Sequence, residues 1–282
     1  MEVLWRVLFQ LAGIVALMLA VAVVLVVGRD RLVRTRTEIV GRLRAVVPIA
    51  TVLVVVLVAN SVVRQYIPDI SWIIGIELTW TVYQLEGDFV VWIQSFETTV
   101  LTAFFSFIYV YGYAFLLIFP VIAYLALSET RQIRLLLTAY TINYTVGPLI
   151  YVFFIVYGPR NIGLVDGLLY DVYPRYQHLT AEVNRNTNVF PSLHTSLSVT
   201  VALLAYHTRE EYPRWYPVAV FLAVSVALST LYLGIHWAVD VVAGVGLAWL
   251  SVWGAEKVVG RWKLRSWLDR IVGDKLPTGR RE

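Results

Sequence analysis

The sequence predicts an all-α protein, a polytopic membrane helical bundle of about seven transmembrane helices. Three observations carry that reading: 59% of the 282 residues are hydrophobic, 15% are charged, and the mean hydropathy is +0.71. A soluble domain sits near about 45–50% apolar and 25% charged, so the surplus here faces lipid. The apolar residues also gather in runs near the ~20 residues that a helix needs to cross a bilayer.

In chain order these runs are Leu8 to Gly28, Ala45 to Val63, Thr99 to Leu127, Leu135 to Tyr157, Leu193 to Tyr206, Pro217 to Ile235 and Trp237 to Ala255. The first is longer than a secretory signal core of about 7–15 residues and ends in GRDRLVR, without a small-residue cleavage site, so it reads as a membrane helix. The fifth is short, and its helix is expected to include Tyr206 and part of HTREE. Between Arg64 and Thr98 the stretch DISWIIGIELTWTVYQLEGDFVVWIQSF carries Trp72, Trp80, Tyr83 and Trp92. It fits interfacial helices within the 64–98 loop, serving as an aromatic belt or as one wall of a lipid-entry site.

Charge orients the bundle, because short cytoplasmic loops collect Lys and Arg. Four segments, Arg29 to Arg44, Ser128 to Arg134, His207 to Tyr216 and the tail after Ala255, hold 18 of the 23 basic residues. Placing them inside puts the N-terminus outside and the C-terminus in the cytoplasm. The tail then lies against anionic inner-leaflet lipid, and the net charge of +4 calls for no nucleic-acid partner. The chain has no cysteine, which excludes disulfides, cysteine-ligated zinc, iron–sulfur clusters and a thiol nucleophile.

Four histidines remain as candidates for chemistry. His207 reads as a solvated residue of the basic side, and His178 has no spaced partner. His194 lies in NVFPSLHTS, where Ser192 is placed to cap the fifth helix and the first backbone N–H groups form an anion site. His236 opens HWAVD, and Asp240 four residues on shares its helical face, within reach of one ring nitrogen. The topology brings both segments to the outer end. The polar residues Thr138, Thr141, Asn143 and Tyr144 of the fourth run read as interhelical hydrogen bonding.

PSLH followed by STLYLGIHWAVD resembles the second and third signature motifs of the type 2 phosphatidic acid phosphatase superfamily, with Ser229, His236 and Asp240 at the family spacing. The resemblance covers Leu135 to Leu250. Leu193 stands where many lipid phosphatases of the family have glycine, Thr230 where they have arginine, and their first motif is absent. FPSLHTS, STLYLGIHWAVD and YPRWYP look more like the inositol phosphorylceramide synthase (inositolphosphotransferase) branch, which moves phosphorylated head groups between lipids.

The resemblance implies a six-helix catalytic membrane domain at 45–255, preceded at 1–44 by an extra transmembrane helix and a basic cytoplasmic loop, and followed at 256–282 by a basic cytoplasmic tail. It implies a membrane enzyme with no cofactor and no metal, acting on a lipid phosphate or phospholipid and passing the phosphoryl-bearing group to an alcohol or to water. By position, His236 is the nucleophile that becomes a phosphohistidine, Asp240 holds its tautomer, and His194 is the general acid and then base. Arg160, Arg175 and Arg185, in the loop before PSLH, and Ser192 are the phosphate-binding candidates, Arg185 first; the alternative for the arginines is salt bridging to Asp166, Asp171 or Glu182. Two other classes remain in view. His194, His236 and Asp240 also fit a two-histidine, one-carboxylate metal site, and a polytopic bundle also suits a non-catalytic transporter.

Overall fold

A computed structural model describes residues 2–63, 65–174 and 189–261. Among these, α1 (Glu2–Ala22) runs through a π-helical turn (Val23–Val27) to Gly28, whose φ of 77° lies in the left-handed region that glycine adopts without steric cost. Helix α2 (Arg29–Val63) follows at once. The basic segment expected as a loop at 29–44 is therefore helical and continuous with the apolar run after it. At 35 residues, about 52 Å at 1.5 Å per residue, α2 is far longer than a hydrocarbon core of about 30 Å. Its arginines have partners, one local and the others distant in sequence, that hold the helix. Buried Arg42 donates to Glu38 Oε2 at 2.7 and 3.2 Å and to the Leu125 carbonyl at 2.9 Å, and the Arg31 guanidinium lies 4.5 Å from the Tyr212 ring centre.

Three short helices, α3 (Ile67–Ile74), α4 (Thr79–Glu86) and α5 (Phe89–Gln94), occupy the 64–98 segment. None is long enough to cross a bilayer, and Trp72, Trp80 and Trp92 are exposed. Ile76 and Glu77 pair in parallel with Phe154 and Ile155, tying this segment to the residues just after the 131–153 helix. The next apolar helix is built from α6 (Thr99–Phe107), a π-helical turn (Ile108–Gly112) and α7 (Tyr113–Leu125). Then come α8 (Arg131–Phe153), a 3₁₀ turn (Pro159–Ile162), α9 (Leu169–Val172), α10 (Leu193–His207), α11 (Trp215–Tyr232) and α12 (Ala238–Arg261).

Six of the described helices are long and apolar enough to cross a membrane, and the chain is a multi-pass membrane protein. The short fifth run is α10, which does include Tyr206 and ends at His207. Its 15 residues reach only about 22 Å, but it packs among α7, α8, α11 and α12. Leu197, Val201, Leu204 and Ala205 are fully buried there beside Thr195, Ser196, Ser198 and Thr200. A helix wrapped in protein can carry such polar residues if they find partners. Asn143 of α8 supplies some: its Nδ2 donates to Thr200 Oγ1 at 3.1 Å, and its Oδ1 accepts from Ser196. Thr138 and Thr141 instead return their hydroxyls to Arg134 and Leu137 of their own helix, while the Tyr144 carbonyl accepts from Asn60 of α2.

Candidate active site

The site forms where the first turns of α10 and α12 meet. Ser192 caps α10, its Oγ accepting from Thr195 N at 3.3 Å, and its own N–H donates to the Asp240 carbonyl at 3.0 Å. Contact this close requires glycine at 244: a Cβ there would lie 2.6 Å from the Ser192 carbonyl oxygen and 3.1 Å from Thr195 Cβ. Leu193, the residue that departs from the family's glycine, fills space left by another glycine. A Cβ at Gly147 of α8 would come within 2.6 Å of its Cδ2.

The expected pair is formed, but His236 lies two residues before α12 rather than on its face. His236 Nδ1 lies 3.2 Å from Asp240 Oδ2, and the same oxygen accepts from Trp237 N at 2.9 Å. Both side chains are buried. His194 faces them across the gap, with its ring centre 6.2 Å from that of His236. The turn before His236 is closed by Thr230, whose carbonyl accepts from the amides of Ile235 and His236 at 2.9 and 3.1 Å. The hydroxyls of Ser229 and Thr230 bond back to Val226 and Ala227 of their own helix, each at 2.7 Å, so these third-motif residues shape the turn.

Arg160 is held beside this turn. Its amide donates to the Gly234 carbonyl at 3.0 Å, and Gly234 has φ of 66°. A side chain there would also lie 2.6 Å from Val165 Cγ2. The Arg160 guanidinium lies 5.2 Å from the Tyr170 ring centre, and its buried Nη1 has no hydrogen-bond partner among the described residues. Among those residues no ion pair joins it to Asp166 or Asp171. His236 lies between the spans Trp215–Tyr232 and Ala238–Val259. Burial, and then the nearby Arg160 charge, push its pKa down to about 3, against a hydrogen bond to the Val189 backbone. The imidazole is therefore neutral at physiological pH.

Arg175, Arg185, Glu182 and His178 lie outside the described residues, as do Arg64 and the tail from 262. His207 sits at the far end of α10, 3.8 Å from Glu256. Three residues at the site were not singled out by the sequence. Tyr109 and Tyr113 place their ring centres 4.7 and 4.6 Å from that of His194; both come from one helix at a π-helical turn, a distortion common at functional sites. Glu86 of α4 accepts from the amides of Ala238, at 2.9 Å, and Val239. The only sequence signal for the tyrosines is their i,i+4 spacing, and Glu86 offers none.

The capped helix end that carries His194 thus meets a buried His–Asp pair and an arginine within a membrane bundle. The profile of the PAP2 superfamily matches residues 81–254, more than half of the chain, and the protein belongs to that superfamily. The matched region begins within α4, leaving α1, α2 and α3 before it. Over 159 residues the chain is 31% identical to an uncharacterized protein of Methanocaldococcus jannaschii, the alignment covering 56% of this chain and 62% of that protein. The chain thus matches less than two thirds of that relative's length. No solved structure gives a significant match.

Proposed function

We propose that this protein transfers or hydrolyses the phosphoryl group of a membrane lipid phosphate through a phosphohistidine on His236. The observation that carries the reading is the pair of histidine rings 6.2 Å apart with Asp240 bonded behind one of them. In the neutral tautomer that donates Nδ1–H to Asp240, Nε2 carries the lone pair that attacks phosphorus. As the nitrogen–phosphorus bond forms, the bond from phosphorus to the lipid alkoxide breaks, and His194 gives that oxygen a proton. His194 then takes a proton from the incoming hydroxyl, which displaces His236. Splitting a slow displacement in two is the gain from covalent catalysis.

The Asp240 carboxylate stabilises the cationic phosphorylated ring. Arg160 and the N–H groups at the Ser192 end of α10 hold the phosphoryl oxygens as charge redistributes over them. Arg175 and Arg185 are further candidates for this role. The PSLH and YPRWYP segments favour an alcohol acceptor, as in the inositolphosphotransferase branch, with water as the alternative. The arginine partition supports a site on the outer face, and the membrane we propose is a prokaryotic plasma membrane.

Radiolabelled phosphatidic acid, offered to purified protein with and without inositol, tests the reading. His236→Ala is expected to lose turnover by about 10³-fold or more, and His194→Ala by about 10²–10⁴-fold with label trapped on the protein. Undiminished turnover in His236→Ala overturns it. Label reaching inositol identifies a transferase, and release of phosphate alone identifies a hydrolase.

A further inference from the structure

The helix carrying Asp240 begins without a cap of its own. Trp237 precedes α12 and has no side-chain oxygen to accept from the amides of the first turn, which need partners when withdrawn from water. Asp240 supplies one half of a capping box, accepting from Trp237 N at 2.9 Å. The other half arrives from 152 residues away in sequence: Glu86, at the end of α4, accepts from Ala238 N at 2.9 Å and from Val239 N. These two amides lie between His236 and Asp240. Tyr83, one turn earlier on α4, has its ring centre 6.2 Å from that of Trp237, and Trp237 Nε1 donates to the Tyr157 carbonyl at 2.8 Å. Helix α4 therefore grips the backbone that joins the two members of the pair.

We infer that Glu86 is a positioning residue for the reaction: its carboxylate caps the first turn of α12 and fixes the backbone on which His236 and Asp240 meet. A carboxylate also neutralises the positive end of the helix dipole. With Glu86 in place, the end of α12 is already occupied by an anion, and an incoming phosphate is steered to the end of α10, where His194 and Arg160 face it. Burial raises the Glu86 pKa, the two amides oppose the rise, and Asp240 adds to it, as expected for a carboxylate held close to a second acid.

This inference rests on the phosphohistidine reading for its kinetic part and on geometry alone for its structural part, and the test separates them. Wild type, Glu86→Ala, Glu86→Gln and His236→Ala are purified in detergent. Hydrogen exchange is followed by mass spectrometry in the peptide spanning 236–242, and turnover is measured with a short-chain phosphatidic acid. Glu86→Ala is expected to speed exchange at the start of α12 by about fivefold or more, the size of a lost cap, while leaving other transmembrane peptides unchanged. Glu86→Gln, which keeps one acceptor oxygen, restores most of the protection.

In the kinetic arm, kcat of Glu86→Ala falls by about tenfold or more with KM within about twofold, the pattern of an interaction needed in the transition state, and Gln recovers most of it. Unchanged exchange in Glu86→Ala overturns the inference. So does a loss confined to KM, or an Ala variant that turns over like wild type while His236→Ala is inactive. Full activity in His236→Ala overturns the phosphohistidine reading and leaves the exchange result to decide the cap.

Discussion

At the scale of single residues, the neutrality of His236 has a consequence for stability as well as chemistry. Its pKa is pushed down to about 3 in the folded protein, against about 6.5 for a free imidazole. Between those values the unfolded chain binds a proton that the folded chain refuses, so stability is full above about pH 6.5 and falls as pH drops toward 3. At pH 5 the difference is on the order of 2 kcal/mol. Glu86, whose pKa is raised, acts in the opposite sense, so the contribution of His236 is read by difference. His236→Asn keeps a donor for Asp240 and cannot be protonated in this range. Its melting temperature is expected to fall less than that of wild type between pH 7 and pH 5, measured by thermal unfolding in detergent. Equal slopes contradict the assigned protonation state.

At the scale of elements, the site depends on how closely α10 can approach α12. Gly244 meets the Ser192 carbonyl and Thr195, whereas Gly246, two residues on, has nothing within 4 Å of the position a Cβ would take. Gly244→Ala must push the helices apart, at about 1–3 kcal/mol, and carries His194 away from His236. Gly246→Ala gains helix propensity, up to about 1 kcal/mol. Thermal unfolding and turnover should both fall in the first variant and hold in the second; matching behaviour contradicts the close-packing account.

The same scale shows what the sequence made legible. The apolar runs and the His236–Asp240 spacing are local patterns, readable because the residues they join are near neighbours in sequence. The arginine-rich start of α2 was missed as helix because its partners, Tyr212 and the Leu125 carbonyl, lie far along the chain. Glu86, Tyr109 and Tyr113 stayed hidden for the same reason: each acts on a turn that only tertiary approach brings near.

At the scale of the whole molecule, the site and the described arginines of 29–44 and 207–216 occupy opposite ends. Helix α10 starts at the site and ends at His207, near Glu256, which is 16 residues along α12 from Asp240 and so about 24 Å away. Around that far end, Arg214 donates to the Leu25 carbonyl at 3.2 Å, Arg31 covers Tyr212 and Arg42 reaches Leu125. Two of the arginine-rich segments, 29–44 and 207–216, thus converge on one end. On the proposed reading, the positive-inside rule would make that end cytoplasmic and turn the site outward. The absence of native cysteine gives a clean background for a test with single cysteines at exposed Ser95 and Ser128. Ser95 follows Gln94, which bonds the Asp166 and Tyr232 carbonyls at the site end, while Ser128 follows α7 at the arginine end. A membrane-impermeant maleimide applied to intact cells is expected to label Ser95→Cys and to reach Ser128→Cys after permeabilisation. The opposite pattern would place the reaction in the cytoplasmic leaflet, where the arginine partition would need another cause than topology.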